Sequence, residues 1–215
     1  MKTKHFKIVE KQDLAPQIKL FRIQAPLISS KFQAGQFVVI RINEKGERIP
    51  LTIAESSPKE GTITIVVQEV GKTTLKLAKM KEGETIEDLL GPLGIPSPIE
   101  KIGTVICVGG GVGVAPLYPE AKRYKEVGNK VISLIGARSK NLFFFMDKMG
   151  AVSDEIRYST DDGSFAHHGF VTDLVKQTLE SGVGVDEAVV IGPLPMMKRA
   201  SEITKKYNLK TRVSL

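Results

Sequence analysis

The chain has 215 residues, of which 41% are hydrophobic and 26% are charged, and this balance is typical of a folded globular protein rather than a disordered or fibrous one. No stretch approaches the roughly 20 consecutive apolar residues that a membrane helix needs, so we expect a cytoplasmic protein without a membrane span. The formal net charge of +7 is most simply that of a solvated lysine-rich surface, and it would also suit anionic small ligands or an acidic protein partner. Neither zinc-finger spacing nor a basic helix supports nucleic-acid binding.

The first hundred residues carry the pattern of short β-strands. Ile63, Ile65 and Val67 alternate with threonines, which predicts a strand with one buried face. Residues 37–42 form a run rich in β-branched side chains, and residues 73–80 are the one helix expected here. Several strands at close spacing, separated by glycine and proline turns, predict an antiparallel barrel or sandwich.

From residue 103 onward, strands alternate with helices. The predicted strands are 104–108, 130–135, 155–159, 188–191 and 210–215, and the predicted helices are 116–127, 141–149, 169–180 and 195–207. In the third helix, the apolar residues are expected to lie on one face: Phe170, Leu174, Val175 and Leu179. This alternation predicts a parallel doubly wound sheet. The domain boundary is expected near Pro96–Gly103, which divides the chain into residues 1–100 and 101–215.

A glycine cluster joins the first strand of the second half to its first helix. Four glycines occur within five residues, Gly109-Gly110-Gly111-Val112-Gly113, and Pro116 follows at the predicted helix start. Glycine lets a backbone approach a ligand closely, and the positive end of a helix attracts anions. The pattern is neither the G-x-G-x-x-G dinucleotide fingerprint nor a P-loop. We therefore predict contact with a nucleotide here, and a tight turn at the sheet edge is the alternative.

Four further segments are weaker indicators of ligand contact. Gly71-Lys72-Thr73-Thr74 begins the predicted helix of the first half, where N–H groups can bind a diphosphate, although a plain capped helix is favoured on this segment alone. Arg48–Thr52 says little by itself. Asp161-Asp162 forms an ordinary turn at the carboxyl end of a strand, where doubly wound proteins also bind ligands, and the two interpretations are equally supported. Gly192-Pro193 ends the next strand, whereas the methionines after it are more often core residues.

The sequence offers few other reactive groups. Cys107 is the only cysteine and lies in an apolar strand, so we expect an inert buried thiol and no disulfide within the chain. His167 and His168 are adjacent, but three histidines in all do not supply the three or four convergent ligands of a metal site. No bound metal is therefore expected.

Seven segments occur in the order in which the ferredoxin–NADP reductase superfamily carries them, and the chain resembles this superfamily over essentially its whole length. The segments are Ile49-Pro-Leu-Thr52, Gly71-Lys-Thr-Thr74, Leu90-Gly-Pro-Leu-Gly94, Gly109-Gly-Gly-Val-Gly-Val-Ala-Pro116, Gly136-Ala-Arg138, Thr160-Asp-Asp-Gly163 and Ile191-Gly-Pro193. Within the superfamily, the chain most resembles the iron–sulfur flavoprotein electron-transfer subunits. These include the electron-transfer subunit of dihydroorotate dehydrogenase and the sulfide dehydrogenase-like small subunit of NADH-dependent reduced ferredoxin:NADP oxidoreductase.

The resemblance implies an FAD-binding antiparallel β-barrel in residues 1–100 and an NAD(P)-binding α/β domain in residues 101–215. The implied activity is hydride exchange between NAD(P)H and FAD, with electrons passed to an iron–sulfur partner, either a larger oxidoreductase subunit or a ferredoxin. A [2Fe–2S] cluster is implied only if the chain continues beyond residue 215. The alternative is a non-catalytic docking subunit of a larger oxidoreductase complex, which binds flavin incompletely or has lost it.

The resemblance also implies roles for individual residues, with Thr52 as the catalytic residue near the flavin N5. The residues expected to contact FAD are Pro50, Leu51, Thr52, Val66, Val67, Gln68, Gly71, Lys72, Thr73 and Thr74. The residues expected to contact the nicotinamide nucleotide are Gly109, Gly110, Gly111, Val112, Gly113, Ala115 and Pro116, then Gly136, Ala137 and Arg138 near the adenosine ribose, and Asp161, Asp162, Gly192 and Pro193 at the nicotinamide.

Two departures from the family pattern concern the flavin strand. Leu51 replaces the usual stacking aromatic, and Arg48 stands one place earlier than the family's arginine, so its role in binding the cofactor is open. The missing aromatic, together with the abrupt end of the sequence on an apolar strand, motivates the docking alternative. Arg138 further suggests a guanidinium that binds a 2′-phosphate and favours NADP(H) over NAD(H).

Overall fold

The computed structural model describes residues 6–214. The chain divides into two compact units, and the division falls between Ser97 and Pro98. The first unit consists of strands with two short helices, whereas the second alternates strands with helices.

The first unit is a single antiparallel sheet in the described part of the chain. Its strands are β1 (Phe6–Ala15), β2 (Ile18–Gln24), β3 (Phe37–Arg41), β4 (Ile49–Ser57), β5 (Thr62–Gln68), β6 (Thr85–Ile86) and β7 (Asp88–Leu93), and its helices are α1 (Pro26–Ser29) and α2 (Lys72–Lys79). The strand order is β6-β1-β2-β5-β4-β3-β7. The two outermost strands, β6 and β7, are consecutive with only Glu87 between them, so the sheet curls into a nearly closed barrel. The predicted antiparallel β-barrel is confirmed.

Branched aliphatic side chains and Phe21 fill the interior of the barrel. On β5, Ile63, Ile65 and Val67 belong to this core, as the sequence pattern predicts. The other face of β5 is buried as well, since Thr62 and Thr64 are each 5% exposed and Val66 is 8% exposed. The prediction of a strand with one buried face is therefore wrong for β5, which is a central strand buried on both faces.

The second unit is a parallel sheet with helices between its strands. Its strands are β8 (Thr104–Gly110), β9 (Lys130–Ala137), β10 (Glu155–Thr160), β11 (His167–His168), β12 (Glu187–Ile191) and β13 (Lys210–Ser214), and its helices are α3 (Val114–Glu126), α4 (Met146–Ala151), α5 (Val171–Glu180) and α6 (Leu194–Lys206). The order is β11-β10-β9-β8-β12-β13, and the neighbouring strands pair in parallel. The chain runs outward from β8 on one side and returns to β12 on the other. The predicted doubly wound sheet is confirmed, with its topological switch between β8 and β12.

Several helix boundaries differ from those expected. A 3₁₀ turn over Gly111–Gly113 leads into α3, which begins two residues before Pro116. The helix expected at 141–149 is instead a 3₁₀ turn followed by α4, since Phe145 interrupts the helical backbone with a φ of 57°. Phe170 precedes α5 and is 63% exposed, whereas Leu174 and Val175 are buried, so the expectation that Phe170 shares their face is wrong. The strand expected at 210–215 ends at Ser214, and Leu215 lies outside the described residues.

A buried polar network attaches the last strand to the second unit. The Arg212 guanidinium on β13 donates 2.9 Å hydrogen bonds to Glu120 and to the Tyr124 hydroxyl, and it lies 3.8 Å from Glu187. Glu120 and Tyr124 belong to α3 and Glu187 to β12, so a single side chain joins three elements. Burial raises the pKa of the Tyr124 phenol, because an ionised phenol would lose its hydration there.

No helix within residues 6–214 has both the length and the apolar character that are needed to cross a membrane.

Candidate functional site

The N-terminus of α2 leaves backbone N–H donors open in the barrel unit. The Thr74 hydroxyl accepts hydrogen bonds from the N–H groups of Val70 (3.1 Å) and Gly71 (2.9 Å) and donates to the Gly71 carbonyl (3.0 Å). This arrangement leaves the N–H groups of Lys72, Thr73 and Thr74 without an acceptor among residues 6–214. The helix has no acidic residue in its first turn, so three free donors and the positive end of the helix dipole are available to a phosphate.

A carboxylate from the β3–β4 loop also lies at this turn. The buried Thr73 hydroxyl donates a 2.8 Å hydrogen bond to Glu47 Oε2, while Glu47 itself is exposed. Sequence reasoning missed Glu47, because it belongs to none of the segments that carry the resemblance. The two residues are 26 positions apart, and only the closure of the barrel brings them together.

Strands β4 and β5 do not pair at the residues that are predicted to contact the flavin. On β4, Ile49–Thr52 pairs with β3, whereas pairing with β5 begins only at Ile53, opposite Ile65. Continuing that register would place Pro50–Thr52 opposite Val66–Gln68, but no pairing joins these two segments. On its other side β5 pairs with β2 as far as Gln68. Backbone donors and acceptors on the β4 side of Val66–Gln68 are therefore open to a planar ligand.

The alternation of strand side chains decides what lines this opening. Leu51 packs against the barrel core, so Pro50 and Thr52 lie on the opposite face of β4. Val67 likewise belongs to the core, and the side chain of Gln68 is exposed. The structure thus brings the two predicted trios to the two sides of one opening, but the Leu51 side chain points to the core rather than outward.

Arg48 immediately precedes β4 and lies within a group of charges. Its guanidinium is 3.3 Å from Asp88, which also pairs with Arg41, and the Arg48 side chain is 64% exposed. The hydrogen bond from Arg41 holds the pKa of the Asp88 carboxyl below its usual range. Arg48 is therefore a weakly held surface cation, whereas Arg41 is the main partner of Asp88.

Three glycines at the end of β8 and in the turn after it are closely packed in the second unit. A Cβ on Gly113 would overlap the carbonyl oxygen of Ile191, and one on Gly110 would overlap the Met196 sulfur. On Gly109 a Cβ would lie 2.9 Å from the Leu117 side chain. The turns that follow β8 and β12 are therefore in direct contact at the topological switch of the sheet.

Gly111 is different, because its role is conformational. Its φ of +54° lies in the left-handed region that favours glycine, and nothing lies within 4 Å of the position that a Cβ would take. The backbone at Gly111 is consequently open to a ligand just before α3. Val114 and Ala115 are buried at the start of that helix, and Pro116 lies in its first turn, where no N–H is required.

The predicted residues after β9 and β10 lie side by side. The N–H groups of Asp161 and Asp162 donate 3.1 Å hydrogen bonds to the carbonyls of Ala137 and Arg138, which extends the parallel pairing past the strand ends. Asp162 also accepts a 2.9 Å hydrogen bond from the N–H of Ser164. Hydrogen bonding by Ser164 lowers the pKa of the Asp162 carboxyl. Arg138 therefore has two carboxylate-bearing residues as its immediate neighbours in the sheet.

The structure does not bring all the predicted nicotinamide residues together. Gly192 packs against the backbone of Gly110 at the end of β8. The Asp161-Asp162 turn follows β10, which is separated from β12 by β9 and β8. At about 4.8 Å between neighbouring strands, the two turns are roughly 14 Å apart across the sheet. Gly192-Pro193 thus belongs with the glycine turn, and the aspartates belong with Arg138.

Comparison with known proteins identifies the family. Residues 5–96 match the oxidoreductase FAD-binding domain family. The dihydroorotate dehydrogenase B (NAD(+)) electron transfer subunit homolog of Thermotoga maritima is 45% identical over 208 residues, which cover 97% of this chain and 73% of the relative. The chain belongs to this family of FAD-binding oxidoreductases. The predicted oxidoreductase class, the FAD cofactor and the resemblance to the ferredoxin–NADP reductase superfamily are thereby confirmed.

Two further similarities agree with this membership. The dihydroorotate dehydrogenase B (NAD(+)) electron transfer subunit of Bacillus pumilus is 33% identical and is matched over 92% of this chain and 77% of its own length. A chain in the structure of NADH-dependent reduced ferredoxin–NADP oxidoreductase, described for flavin-based electron bifurcation, aligns with a TM-score of 0.92 and 42% identity. That alignment covers all of this chain and 78% of the other. Relatives of this family are thus named as parts of larger enzymes.

Proposed function

We propose that this chain exchanges a hydride between NAD(P)H and FAD and passes the electrons to an iron–sulfur partner, either a larger oxidoreductase subunit or a ferredoxin. Residues 1–100 form the FAD domain in this proposal and residues 101–215 the nucleotide domain. The observation that carries it is the opening between Pro50–Thr52 and Val66–Gln68 in an FAD-domain barrel that also has a free anion-binding helix N-terminus.

The barrel has a suitable surface for each of the two chemical parts of FAD, the diphosphate and the isoalloxazine ring. The free N–H groups of Lys72, Thr73 and Thr74 suit the diphosphate, and the open backbone edge of Val66–Gln68 suits the donors and acceptors of an isoalloxazine ring. Bound FAD would supply hydride acceptance at N5 and release of single electrons. The residues of the chain bind and orient the cofactor. The Thr52 hydroxyl, on the outer face of β4, is proposed to position the ring near N5.

The second unit likewise has backbone surfaces that suit a nicotinamide nucleotide. The open backbone at Gly111 and the start of α3 are proposed to bind the diphosphate, with Gly192-Pro193 beside it at the nicotinamide end. Arg138 and the aspartates after β10 are proposed to bind the adenosine end. Hydride transfer requires reacting atoms held about 3–3.5 Å apart, so positioning is the chief task of these residues and no general acid or base is needed.

A spectroscopic experiment tests the proposal. The purified chain is saturated with FAD, and its visible absorbance is followed during anaerobic addition of NADH or NADPH. The expected result is bound flavin whose absorbance bleaches in proportion to the nucleotide added. A Thr52→Val variant, which keeps the side-chain shape and removes the hydroxyl, should bind FAD but bleach more slowly. A chain that takes up no FAD and still binds a partner protein would support the docking subunit instead.

A further inference from the structure

Phe37 lies on the outer face of the barrel, next to the strand that borders the proposed flavin opening. It begins β3, on which Val38 and Ile40 belong to the barrel core, so the Phe37 side chain points away from that core. Phe37 pairs directly with Thr52 on β4, and directly opposed residues share a face, with Cβ atoms about 4.5–5.5 Å apart. An aromatic ring is therefore the immediate neighbour of the residue that is proposed to lie near N5.

The end of β7 fixes the position of this ring. Leu93 pairs with Phe37 on the side of β3 that faces away from β4. The ring lies against Gly94, where a Cβ would come within 3.0 Å of Phe37 Cε1 and 3.2 Å of Phe37 Cδ1. The Gly94 carbonyl accepts a 3.0 Å hydrogen bond from the side-chain amide of Gln36, which ties this backbone to the residue before Phe37. The end of β7 thus supports one side of the ring, and Thr52 lies on the other.

Three neighbouring strands present three different surfaces around the opening. Strand β5 offers an open backbone edge at Val66–Gln68, β4 offers the Thr52 hydroxyl, and β3 offers the Phe37 ring. An isoalloxazine has the same succession along its length: a pyrimidine end with hydrogen-bond donors and acceptors, a central ring with N5, and a benzenoid end with two methyl groups. At about 4.8 Å between neighbouring strands, β3 is about 10 Å from β5, a span that three fused rings with their substituents can cover.

The reverse orientation of the ring is less favourable. It would place the carbonyl and N–H groups of the pyrimidine end against Phe37, on a strand that is already paired on both sides. It would also place the two methyl groups against the open backbone edge of Val66–Gln68. Polar groups of both the flavin and the barrel would then lack partners, which costs free energy wherever water is excluded.

We propose that the benzenoid end of the bound isoalloxazine packs against Phe37, so that the ring lies across β4 with N5 at Thr52 and its pyrimidine end at β5. The proposal rests on the function proposed above and adds the orientation of the flavin on the barrel. It also supplies an aromatic contact that β4 itself does not provide, because Leu51 packs against the barrel core.

Affinity measurements with two flavins on the full chain, freed of bound flavin, test this orientation. Dissociation constants are measured for FAD and for an FAD analogue that lacks only the two methyl groups of the benzenoid end. At the usual free energy of burying a methyl group, the native chain should bind FAD about tenfold more tightly than the analogue. In Phe37→Ala, FAD affinity should fall about fivefold and the preference for FAD over the analogue should shrink to about threefold, because the methyl groups lose their apolar neighbour.

Two further variants complete the test. Leu90→Ala is the matched control, since Leu90 is an exposed apolar residue of the outer face but lies on β7, one strand further from β5, and it should leave both affinities unchanged. Phe37→Thr suits a β-strand better than alanine and gives the same comparison if Phe37→Ala does not fold.

The preference, rather than the affinity alone, decides the outcome. A native chain that binds both flavins equally well would overturn the proposal. The same holds if the variants at position 37 lose affinity for both flavins by one factor and keep the tenfold preference, which is the result expected of a purely structural residue. A native chain that binds neither flavin would instead overturn the proposed function.

Discussion

Two glycines that are two residues apart should respond to the same substitution in opposite ways. In Gly113→Ala the new methyl group overlaps the Ile191 carbonyl and lies 2.8 Å from the Gly192 Cα, so only a movement of the backbone can relieve the clash. In Gly111→Ala the methyl group meets nothing within 4 Å, and the cost is that of a left-handed alanine. The first substitution should damage the fold, whereas the second should damage the binding surface.

The magnitudes follow from these two causes. Overpacking of an interior costs about 1–3 kcal/mol, and a clash with backbone belongs at the upper end, about 3 kcal/mol. A left-handed alanine costs about 1–2 kcal/mol. At about 4 °C per kcal/mol for a unit of this size, the Tm of the second unit should fall by about 12 °C in Gly113→Ala and by about 6 °C in Gly111→Ala.

Thermal unfolding and nucleotide titration together check this contrast. Gly111→Ala should weaken NAD(P)H binding at least about tenfold, or 1.4 kcal/mol, while most of the chain stays folded at 25 °C. Gly184→Ala is the matched control, since that glycine also has open space and no positive φ, and it should be neutral or stabilising by up to about 1 kcal/mol. Equal losses of Tm at positions 111 and 113 would refute the distinction between a packing glycine and a conformational one.

Three further predictions concern charge. Asp154→Asn should lower the free energy of unfolding by about 0.5 kcal/mol at pH 7. Because Lys125 lowers the pKa of Asp154 in the folded chain, this loss should shrink as the pH falls below the pKa of about 4 that the carboxyl has in the unfolded chain. Urea melts at pH 7 and pH 3 measure the difference. Burial raises the pKa of Tyr124, so its phenol should stay protonated above pH 10 in the folded chain. The same phenol ionises near pH 10 in the unfolded chain, so the folded chain should lose stability as the pH rises from about 10 toward the raised pKa. Tyr124→Phe should therefore leave the ultraviolet titration of the folded chain unchanged. Arg138→Ala should weaken NADPH binding about tenfold more than NADH binding, and equal losses in calorimetric titrations would exclude a 2′-phosphate contact.

The architecture follows from local patterns that the sequence shows directly. Alternation on Ile63, Ile65 and Val67 predicts inward-facing positions of a strand, and the succession of strands and helices after residue 103 predicts the parallel sheet. Boundaries were less predictable, because they depend on single backbone conformations. The left-handed Phe145 divides one expected helix into a 3₁₀ turn and α4, and no periodicity signals such a residue.

Features made by long-range pairing were beyond the sequence alone. The separation of β4 from β5 begins where Ile53 faces Ile65, and it requires the register of three strands to be known. The contact of Glu47 with Thr73 likewise depends on the closure of the barrel. Segment order identified the residues on each side of the opening, but only the register shows that they face one another.

Strand order explains why one predicted group of nucleotide contacts divides into two. In sequence, Asp161-Asp162 and Gly192-Pro193 are equivalent turns, since each follows a parallel strand and precedes a helix. The sheet places β9 and β8 between those strands, so the first turn lies beside Arg138 and the second beside Gly110. A dinucleotide bound across the switch point can therefore meet the glycine turn with its diphosphate, while its two ends reach chemically different turns. Under the proposed function, we therefore expect substitutions of the aspartates and Arg138 to change the choice between NADH and NADPH, and substitutions of Gly192-Pro193 to affect the reactive ring.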